Sequence, residues 1–410
     1  MKDAEKDVEN TGVTVECILV NYKSPWEMLE RCLRSLRDAS GEAPLKVTLI
    51  DNASGDGVIE RARSDFPDVR IVEMGRNAGF AAAVNRGLDT VAGPMVLLLN
   101  TDAVLTPGAL GTMVSALEAA DSNCAGVAPK MMSSAHEGVI DAIGTVMPPN
   151  GAGFNRGIGQ CDLGQYDSPE EVAGVCFGAA LLRRKLFEPD GVGRLYEGYF
   201  LYFEDSDWCH RAAACGYSFL TAPEAVVLHL HSGVTRNESL AFKYKLIELN
   251  TLRLVVRNFE SPLRAARVVG ARSARLIART LIRRKFIGAN LATLAQFARE
   301  LPRLLEERKR LGRKRTVSDA GIFQLAEGED AFFDTVDYRP DRCLDSLIAT
   351  YVRLLQREKN PAHGKILAAL YRLSQEQVSG RAPLLDPKTA ELFASECECV
   401  RALLDSATVS

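Results

Sequence analysis

The sequence lacks several features that would place it in a familiar class of protein. Its 410 residues contain no uninterrupted apolar run of about 18 residues, so no transmembrane helix is predicted. The polar stretch from Met1 to Gly12 has no apolar core of the kind that a secretory signal needs. The ten cysteines include no CxxC pair, which argues against a zinc site or a disulfide scaffold. We therefore expect a cytoplasmic protein with reduced thiols.

A glycine-rich turn after the first predicted strand is also missing. The chain there reads Asn21-Tyr22-Lys23-Ser24-Pro25, without a glycine. A dinucleotide needs glycine at this turn, because its pyrophosphate must come close to the backbone. The absence excludes a dehydrogenase of the dinucleotide-binding type.

What is present is typical of a globular protein of two or three domains, with 47% apolar and 25% charged residues. Strands and helices alternate up to about residue 130, a loop-rich stretch follows over 131–165, and the pattern is helical beyond Leu240. This order predicts a doubly wound α/β sheet followed by helices. We divide the chain into a polar tail, an α/β domain, a basic helical segment and a helical C-terminal region (1–12, 13–240, 241–316 and 317–410).

Two helix starts are predicted from a hydroxyl residue followed by proline. Ser24 would cap the first helix with Pro25 at its first position, and Thr106-Pro107 would open a later helix in the same way.

The net charge of −3 conceals an uneven distribution. Residues 261–315 carry 16 Lys and Arg against three Asp and Glu. Arginines from Arg264 to Arg283 share one broad helical face, and Ile277 and Leu281 fall on the other. Two interpretations stay open: peripheral contact with an anionic membrane surface, or a face that packs on the rest of the protein. Nucleic acid is not an expected partner, since no aromatic side chains are interleaved among these arginines.

Polar residues follow the predicted parallel strands, where ligands bind in open α/β sheets. Asp102 comes directly after an apolar strand, which places a carboxylate at the mouth of the sheet. A hard divalent cation that bridges a diphosphate prefers such an oxygen ligand. Small residues at the helix entry Asn77-Ala78-Gly79 would let a ligand approach, although they also suit a helix packed closely on the sheet.

Three carboxylates, Glu204, Asp205 and Asp207, lie within four residues and are flanked by aromatic residues. One interpretation is an acidic helix N-terminus stabilised by the helix dipole. The other is an acid whose pKa is adjusted for general-base catalysis, which the aromatic surroundings favour.

Seven motifs in order over residues 15–235 resemble the inverting family 2 glycosyltransferases of the GT-A fold, closest to the rhamnosyltransferase-like branch. They are Val20-Asn21-Tyr22; Asp51-Asn52-Ala53-Ser54-Gly55-Asp56-Gly57; Asn77-Ala78-Gly79-Phe80 with Asn85-Arg86-Gly87; Leu99-Asn100-Thr101-Asp102; Phe177-Gly178-Ala179-Ala180; Glu204-Asp205-Ser206-Asp207; and Pro223-Glu224-Ala225-Val226-Val227-Leu228-His229-Leu230-His231-Ser232.

The resemblance implies a GT-A-type mixed sheet with a helical C-terminal region. It also implies transfer of a sugar from a nucleotide-diphosphate donor, dTDP- or UDP-linked, to a hydroxyl of a glycan or lipid-linked acceptor. Mn²⁺ or Mg²⁺ would be the cofactor. The enzyme would act in bacterial polysaccharide or glycolipid synthesis, at the inner face of the cell membrane. A nucleotidyltransferase acting on sugar phosphates and a non-catalytic sugar-binding protein are the alternatives. The helical tail is a candidate for homodimer contacts.

By the same resemblance, Asp205 is the expected general base, with Glu204 beside it. Asp102 and His229 are the expected metal ligands, and His229 is preferred to His231 because it precedes Ser232 by three residues, as in the family. Asn100 stands where many relatives carry aspartate. The predicted donor site comprises Asn21, Tyr22, Asp51, Asn52, Arg76, Asn77, Gly79, Phe80, Asn85, Asn100 and Thr101, with Arg76 or Arg86 balancing phosphate charge. The predicted acceptor side comprises Gly178, Glu197 and Trp208.

Overall fold

The computed structural model describes residues 12–135, 137–230, 238–282, 284, 286–326, 343–357, 361–378, 396 and 400–401. His231 lies outside the described residues, as does nearly all of the 1–12 tail.

Strands and helices alternate through the first half of the chain. The strands are β1 Val15–Asn21, β2 Leu45–Asp51, β3 Arg70–Glu73, β4 Met95–Asn100, β5 Ala103–Leu105, β6 Cys124–Ser133, β7 Ile140–Ala142, β8 Thr145–Val146, β9 Phe154–Asn155, β10 Glu171–Val172, β11 Ala179–Arg183 and β12 Ser218–His229. The helices are α1 Trp26–Ala39, α2 Val58–Asp65, α3 Phe80–Leu88, α4 Ala109–Ala119, α5 Glu204–Ala214, α6 Leu240–Asn258, α7 Pro262–Leu281, α8 Ile287–Gly312, α9 Asp319–Gln324, α10 Cys343–Arg357 and α11 Pro361–Val378.

Most strands form one mixed sheet in the order β10-β12-β6-β11-β4-β1-β2-β3. Strand β1 is parallel to β2 and β4, while β11 runs antiparallel between β4 and β6. Side chains of β1 alternate between two cores: Cys17 and Leu19 pack with α1, and Ile18 packs with α3. Apolar residues on both faces of a mostly parallel sheet require helices on both sides. The predicted doubly wound α/β fold is confirmed.

Three local predictions were wrong. Ser24 does not cap α1, because its hydroxyl hydrogen-bonds the Thr101 hydroxyl at 2.8 Å. Helix α4 begins at Ala109 rather than beside Pro107, since the Thr106 hydroxyl donates to the Val226 carbonyl and Gly108 makes the turn with φ of 84°. The stretch over 131–165 is not all loop: it contains the end of β6 and three short strands.

The basic segment forms helices that pack on the α/β domain and on one another. Arg272 of α7 is buried against Glu248 of α6, with Nη1 and Oε2 3.1 Å apart, and Arg275 also reaches Glu248 at 3.0 Å. Ile277 and Leu281, predicted to face away from the arginines, are 48% and 72% exposed, whereas Leu276 on the same helix is buried. None of the described helices combines the length and hydrophobicity needed to span a bilayer.

Candidate functional site

A cleft of about 500 Å³ opens at the carboxyl ends of β1, β2 and β4. This is the edge of the sheet where ligands of open α/β folds bind. Twelve of the site residues predicted from the sequence line this cleft together: Tyr22, Asn52, Asn77, Gly79, Phe80, Asn100, Thr101, Asp102, Gly178, Glu204, Asp205 and His229.

One side of the cleft is built on a buried polar network. Asn21 donates to Asp51 Oδ1 at 3.1 Å and to the Ser54 hydroxyl at 2.9 Å, and the Ser54 amide donates to Asp51 Oδ2 at 3.1 Å. Asn21 and Asp51 therefore lie beneath the lining and hold the loop after β2. Asn52 in turn donates to Asn77 Oδ1 at 2.9 Å and connects this loop to the helix entry.

The helix entry at Gly79 has no room for a side chain. Gly79 has φ of 87°, and a Cβ there would collide with the carbonyl oxygen of Phe200. The Phe80 amide donates to that same carbonyl at 2.8 Å. The start of α3 and the segment before α5 are thereby held together across the cleft, so both interpretations of the small residues, close packing and an open approach, describe part of this geometry.

Asp102 and His229 meet at the centre of the cleft. His229 Nε2 is 3.2 Å from Asp102 Oδ1, and the Asn100 amide lies 3.4 Å from the same ring nitrogen. The other ring nitrogen, Nδ1, is 2.7 Å from Asp141 Oδ2. Burial opposes a charge on the imidazole, but Asp102 and Asp141 outweigh it and raise the pKa of His229 to about 10. The ring is thus fixed from both sides.

This donor set suits a divalent cation with an open coordination sphere. Within the described ranges no three carboxylate, imidazole or thiol side chains form a ready cage for a metal ion. One carboxylate and one imidazole nonetheless converge at Asp102 and His229, and cations such as Mn²⁺ or Mg²⁺ commonly take their remaining ligands from substrate phosphates and water. Asp141 orients the imidazole in the way that outer carboxylates orient metal-bound histidines. Asp102 and His229 therefore suit a divalent cation such as Mn²⁺ or Mg²⁺.

Glu204 and Asp205 begin α5 and line the same cleft. Glu204 is buried, and no described group hydrogen-bonds its Oε2. Burial, reinforced by the charge of Asp205, raises the pKa of Glu204 to about 8. Burial also raises the pKa of Asp205, whose Oδ1 accepts from the Ser206 amide at 2.6 Å. Burial thus favours the neutral form of both acids, and two adjacent carboxyl groups do not readily ionise together.

Asp207, the third carboxylate, points away from the cleft. It is fully buried and accepts from Arg211 Nε at 2.9 Å, from Asn258 at 2.8 Å and from Arg257. Although burial acts to raise the pKa of Asp207, the charges of Arg257 and Arg211 dominate and lower it. Asp207 is a structural anion that ties α5 to α6.

Besides Asn21 and Asp51, five predicted site residues do not line the cleft. Trp208 is fully buried, stacked on Phe187, with its indole N–H donated to the Gly193 carbonyl. The side-chain amide of Asn85 donates to the Leu195 carbonyl and to the Glu197 carboxylate, so Asn85 and Glu197 bind each other and not a ligand in the cleft. Arg76 is exposed outside the cleft, and so is Arg86.

His210, also on α5, lies outside the cleft. It is buried and stacked on Phe259, and burial lowers its pKa to about 3.

Several residues of the site were not predicted. No sequence pattern indicates the role of Asp141, because its partner His229 lies 88 positions away in the chain. The cleft is also lined by apolar side chains from two places, Phe154 in β9 and Phe242 and Ile247 in α6. The amphipathic pattern of α6 gave no sign that one of its faces would contribute to a ligand site.

Comparison with known proteins identifies the fold and the family. The model of "Glycosyl transferase family 2" matches residues 16–190. An N-acetylglucosaminyl-diphospho-decaprenol L-rhamnosyltransferase of Mycobacterium tuberculosis (strain ATCC 25618 / H37Rv) is 31% identical, over 52% of this chain and 74% of the relative. An N-acetylglucosaminyltransferase of Bradyrhizobium elkanii is 24% identical, over 30% of this chain and 70% of the relative.

Two solved structures show a more distant likeness. The structure of GalNAc-T7 with UDP, GalNAc and Mn²⁺ has a TM-score of 0.48 at 14% identity, over 71% of this chain and 57% of that one. The mannosyltransferase PcManGT of Pyrobaculum calidifontis, in complex with GDP-Man and Mn²⁺, has a TM-score of 0.43 at 16% identity, over 74% of this chain and 87% of that one.

The mixed sheet, the cleft at its strand ends and the sequence matches define a GT-A glycosyltransferase that uses a nucleotide sugar donor. Because the mycobacterial relative is matched over 74% of its length at 31% identity, the chain belongs to glycosyltransferase family 2. Within that family it is of the rhamnosyltransferase type.

Proposed function

We propose that this enzyme inverts the anomeric configuration of the transferred sugar in a single displacement. The observation that carries the proposal is that Asp205 and the Asp102–His229 pair line one cleft from different elements of the fold. Asp205 would accept the proton of the acceptor hydroxyl, whose oxygen attacks the anomeric carbon on the face opposite to the leaving nucleoside diphosphate. No enzyme nucleophile is needed, and inversion follows from the single attack.

The donor would lie along the Asn52, Asn77 and Phe80 side, with Asp51 beneath it at the nucleotide base. A dTDP- or UDP-linked sugar is the proposed donor class. Trp208, Asn85, Glu197 and Arg76 are left out of the proposed site, because the structure places them elsewhere. The transferase machinery would occupy residues 13–240, to which α6 adds an apolar wall.

Asp102 and His229 would hold Mn²⁺ or Mg²⁺. When bound, the cation neutralises negative charge on the leaving diphosphate. Asn100 supplies an amide where an acidic residue would add a negative charge, which leaves Asp102 as the carboxylate of this motif.

A thermal-shift experiment tests the donor and metal sites together. A nucleoside diphosphate at about 100 times its Kd is expected to raise stability by about 2.7 kcal/mol when Mn²⁺ is present, because it binds only the folded state. Asp102→Ala is expected to remove the part of the shift that requires Mn²⁺. Glu73→Ala, an exposed carboxylate on β3, is the control and should keep the full shift. Equal shifts with Mn²⁺ and with EDTA in the wild type would contradict the metal assignment.

Product analysis separates the transferase from a nucleotidyltransferase. Incubation with nucleotide sugar and acceptor should release a nucleoside diphosphate, whereas a nucleotidyltransferase would release pyrophosphate. NMR of the glycosidic product should show the anomeric configuration opposite to that of the donor; retention would rule out the single displacement.

We further propose a lipid-linked acceptor and a membrane contact through α7 and α8. The mycobacterial relative is named for an N-acetylglucosaminyl-diphospho-decaprenol acceptor. Nine large hydrophobic side chains are exposed in the described chain, and seven of them lie between Leu263 and Leu305. Residues 261–299 contain nine Lys and Arg and no Asp or Glu. Two copies of such a surface would repel each other, while anionic headgroups would attract it.

Vesicle binding tests the membrane contact. Sedimentation with vesicles containing an anionic phospholipid should capture the wild type and should weaken at high salt, because each cation near the surface contributes about 1 kcal/mol. Ile277→Glu combined with Leu281→Glu should lower binding by at least about tenfold, since it removes apolar contact and adds negative charge. Tyr371→Glu, an exposed aromatic on α11, is the matched control. Equal binding to neutral vesicles, or dimerisation lost in the double variant, would contradict the proposal.

A further inference from the structure

The backbone just before Asp205 is strained. Tyr202 and Phe203 have φ of 69° and 72°, and they stand consecutively where α5 begins. Side-chain-bearing residues rarely adopt this left-handed region, and two in succession persist only when the surroundings impose them. The turn nevertheless directs both Glu204 and Asp205 into the cleft.

The contacts that impose this conformation come from α6. The side-chain amide of Asn250 donates to the carbonyl of Leu201 at 2.9 Å and to the carbonyl of Tyr202 at 2.8 Å. Asn250 is fully buried, so water cannot replace these bonds. Both carbonyls precede the strained residues directly, and their orientation fixes the peptide planes that lead into α5.

Asn250 is itself held in one orientation. Its Oδ1 accepts from Arg253 Nη1 at 2.8 Å, and the same Nη1 donates to the Gly198 carbonyl at 2.8 Å. Arg253 is anchored in turn by a bidentate pair with Glu300 of α8, at 2.7 Å for each bond. Since the Oδ1 accepts from a guanidinium, the amide nitrogen of Asn250 must face the turn.

We infer that Asn250 is a positioning residue for the transfer reaction: it holds the left-handed turn at Tyr202 and Phe203 and so aims Asp205 at the acceptor hydroxyl. The inference rests on the proposed role of Asp205 as the base. If Asn250 has this role, the helical segment beyond the α/β domain takes part in catalysis, although Asn250 does not itself line the cleft.

Asn250→Ala tests the inference through the division of its effect between kcat and KM. Loss of both amide bonds should lower kcat by about 10²-fold, as expected for a displacement of a reacting group by about 1 Å. The KM for the donor should stay within about twofold, because an interaction that matters only in the transition state lowers kcat alone. Thr251→Val is the matched control: this neighbour is equally buried, and its hydroxyl bonds only the Ile247 carbonyl of its own helix.

Two double variants separate positioning from general damage. Combined with Asp205→Asn, Asn250→Ala should cause no further loss, since the group that it positions is already absent. In a Tyr202→Gly background the loss caused by Asn250→Ala should shrink, because glycine adopts a positive φ without strain. A loss of the same size in all three backgrounds would overturn the inference. Full activity of Asp205→Asn alone would instead overturn the proposed base.

Folding of the variant is checked independently of activity. The thermal shift that a nucleoside diphosphate produces with Mn²⁺ should persist in Asn250→Ala, because its donor-side residues are unchanged. If that shift disappears together with kcat, the effect is structural collapse of the cleft and the inference is wrong.

Discussion

Asp205→Asn is expected to lower kcat by about 10³-fold, within the range of 10²- to 10⁴-fold that general-base catalysis supplies. Asparagine preserves the size of the side chain and its place at the start of α5, but its amide cannot accept the acceptor's proton. Donor affinity should change little, because Asp205 lies at the start of α5, whereas Asn52 and Asn77 lie in the loops after β2 and β3. The measurement is kcat and donor KM at saturating acceptor.

The pH dependence gives this prediction a sign. Burial raises the pKa of Asp205, and a base works only when it is deprotonated. Wild-type kcat should therefore increase with pH through a midpoint above 3.8, the usual value for aspartate. The residual activity of Asp205→Asn should lack this rise. A rise with an unchanged midpoint in the variant would assign the titration to another group.

Glu204→Gln is the matched control. Because the pKa of Glu204 is raised to about 8, this side chain is mostly neutral at pH 7, and glutamine copies a neutral acid of the same length. We expect kcat to fall by less than about tenfold at pH 7, against about 10³-fold for Asp205→Asn. If the two variants are equally slow, Glu204 shares the proton transfer, and the assignment to Asp205 alone is wrong.

The sequence was most informative where chemistry follows a buried strand. Asn52 and Asp102 could be placed in one cleft because they follow within three residues of the buried runs that end at Ile50 and Leu99, and parallel strands end at the same edge. The same reasoning placed Asn21 and Asp51 nearby but could not show that they hydrogen-bond each other beneath the lining. Position along a strand predicts location, whereas hydrogen bonding depends on the neighbouring loop.

Sequence reasoning failed where a side chain's direction depends on distant packing. Trp208 shares a helical face with Glu204 by spacing, yet its ring stacks on Phe187, more than 20 positions away. Asn85 lies in a motif beside the donor loop but is used by the 195–197 segment. Local patterns carry no information about such pairings, because each is decided by which loop comes to lie against the helix.

The basic segment shows a different limit. Periodicity predicted an arginine-bearing face and an apolar face on α7, but it could not decide which residues of either face are buried. In the structure Arg272 is buried by a partner, Glu248, that lies outside the helix, and Leu281 is left exposed. The orientation of α7 follows from the pairing of its arginines with Glu248 of α6. It could have been predicted only by knowing where that glutamate lies in the fold.

The second large effect concerns stability, and Asp207→Ala is expected to destabilise the protein by about 3–5 kcal/mol. Asp207 is fully buried between Arg211 and Arg257, whose side chains are 7% and 2% exposed. Removing the carboxylate that both arginines share leaves two like charges close together among largely buried side chains. The loss exceeds that of an ordinary hydrogen bond, because the charge of Arg211 loses its carboxylate partner, while Arg257 keeps only its ion pair with Glu307 at 2.8 Å.

Urea denaturation at pH 7 measures this loss, with Glu73→Ala as the control. Glu73 pairs with Arg63 at 2.8 Å, but both side chains are more than half exposed, so its removal should cost less than about 1 kcal/mol.

The stabilising effect of Asp207 should depend on pH. The pKa of Asp207 is lowered in the folded state, chiefly because the arginine charges overcome its burial. Its stabilising effect is therefore present above the unfolded-state pKa and is lost as the pH falls through the lower folded-state value. The difference between wild type and Asp207→Ala should shrink in acid. A difference that stays constant down to the lowest pH at which the protein folds would mean that packing, and not charge, accounts for the role of Asp207.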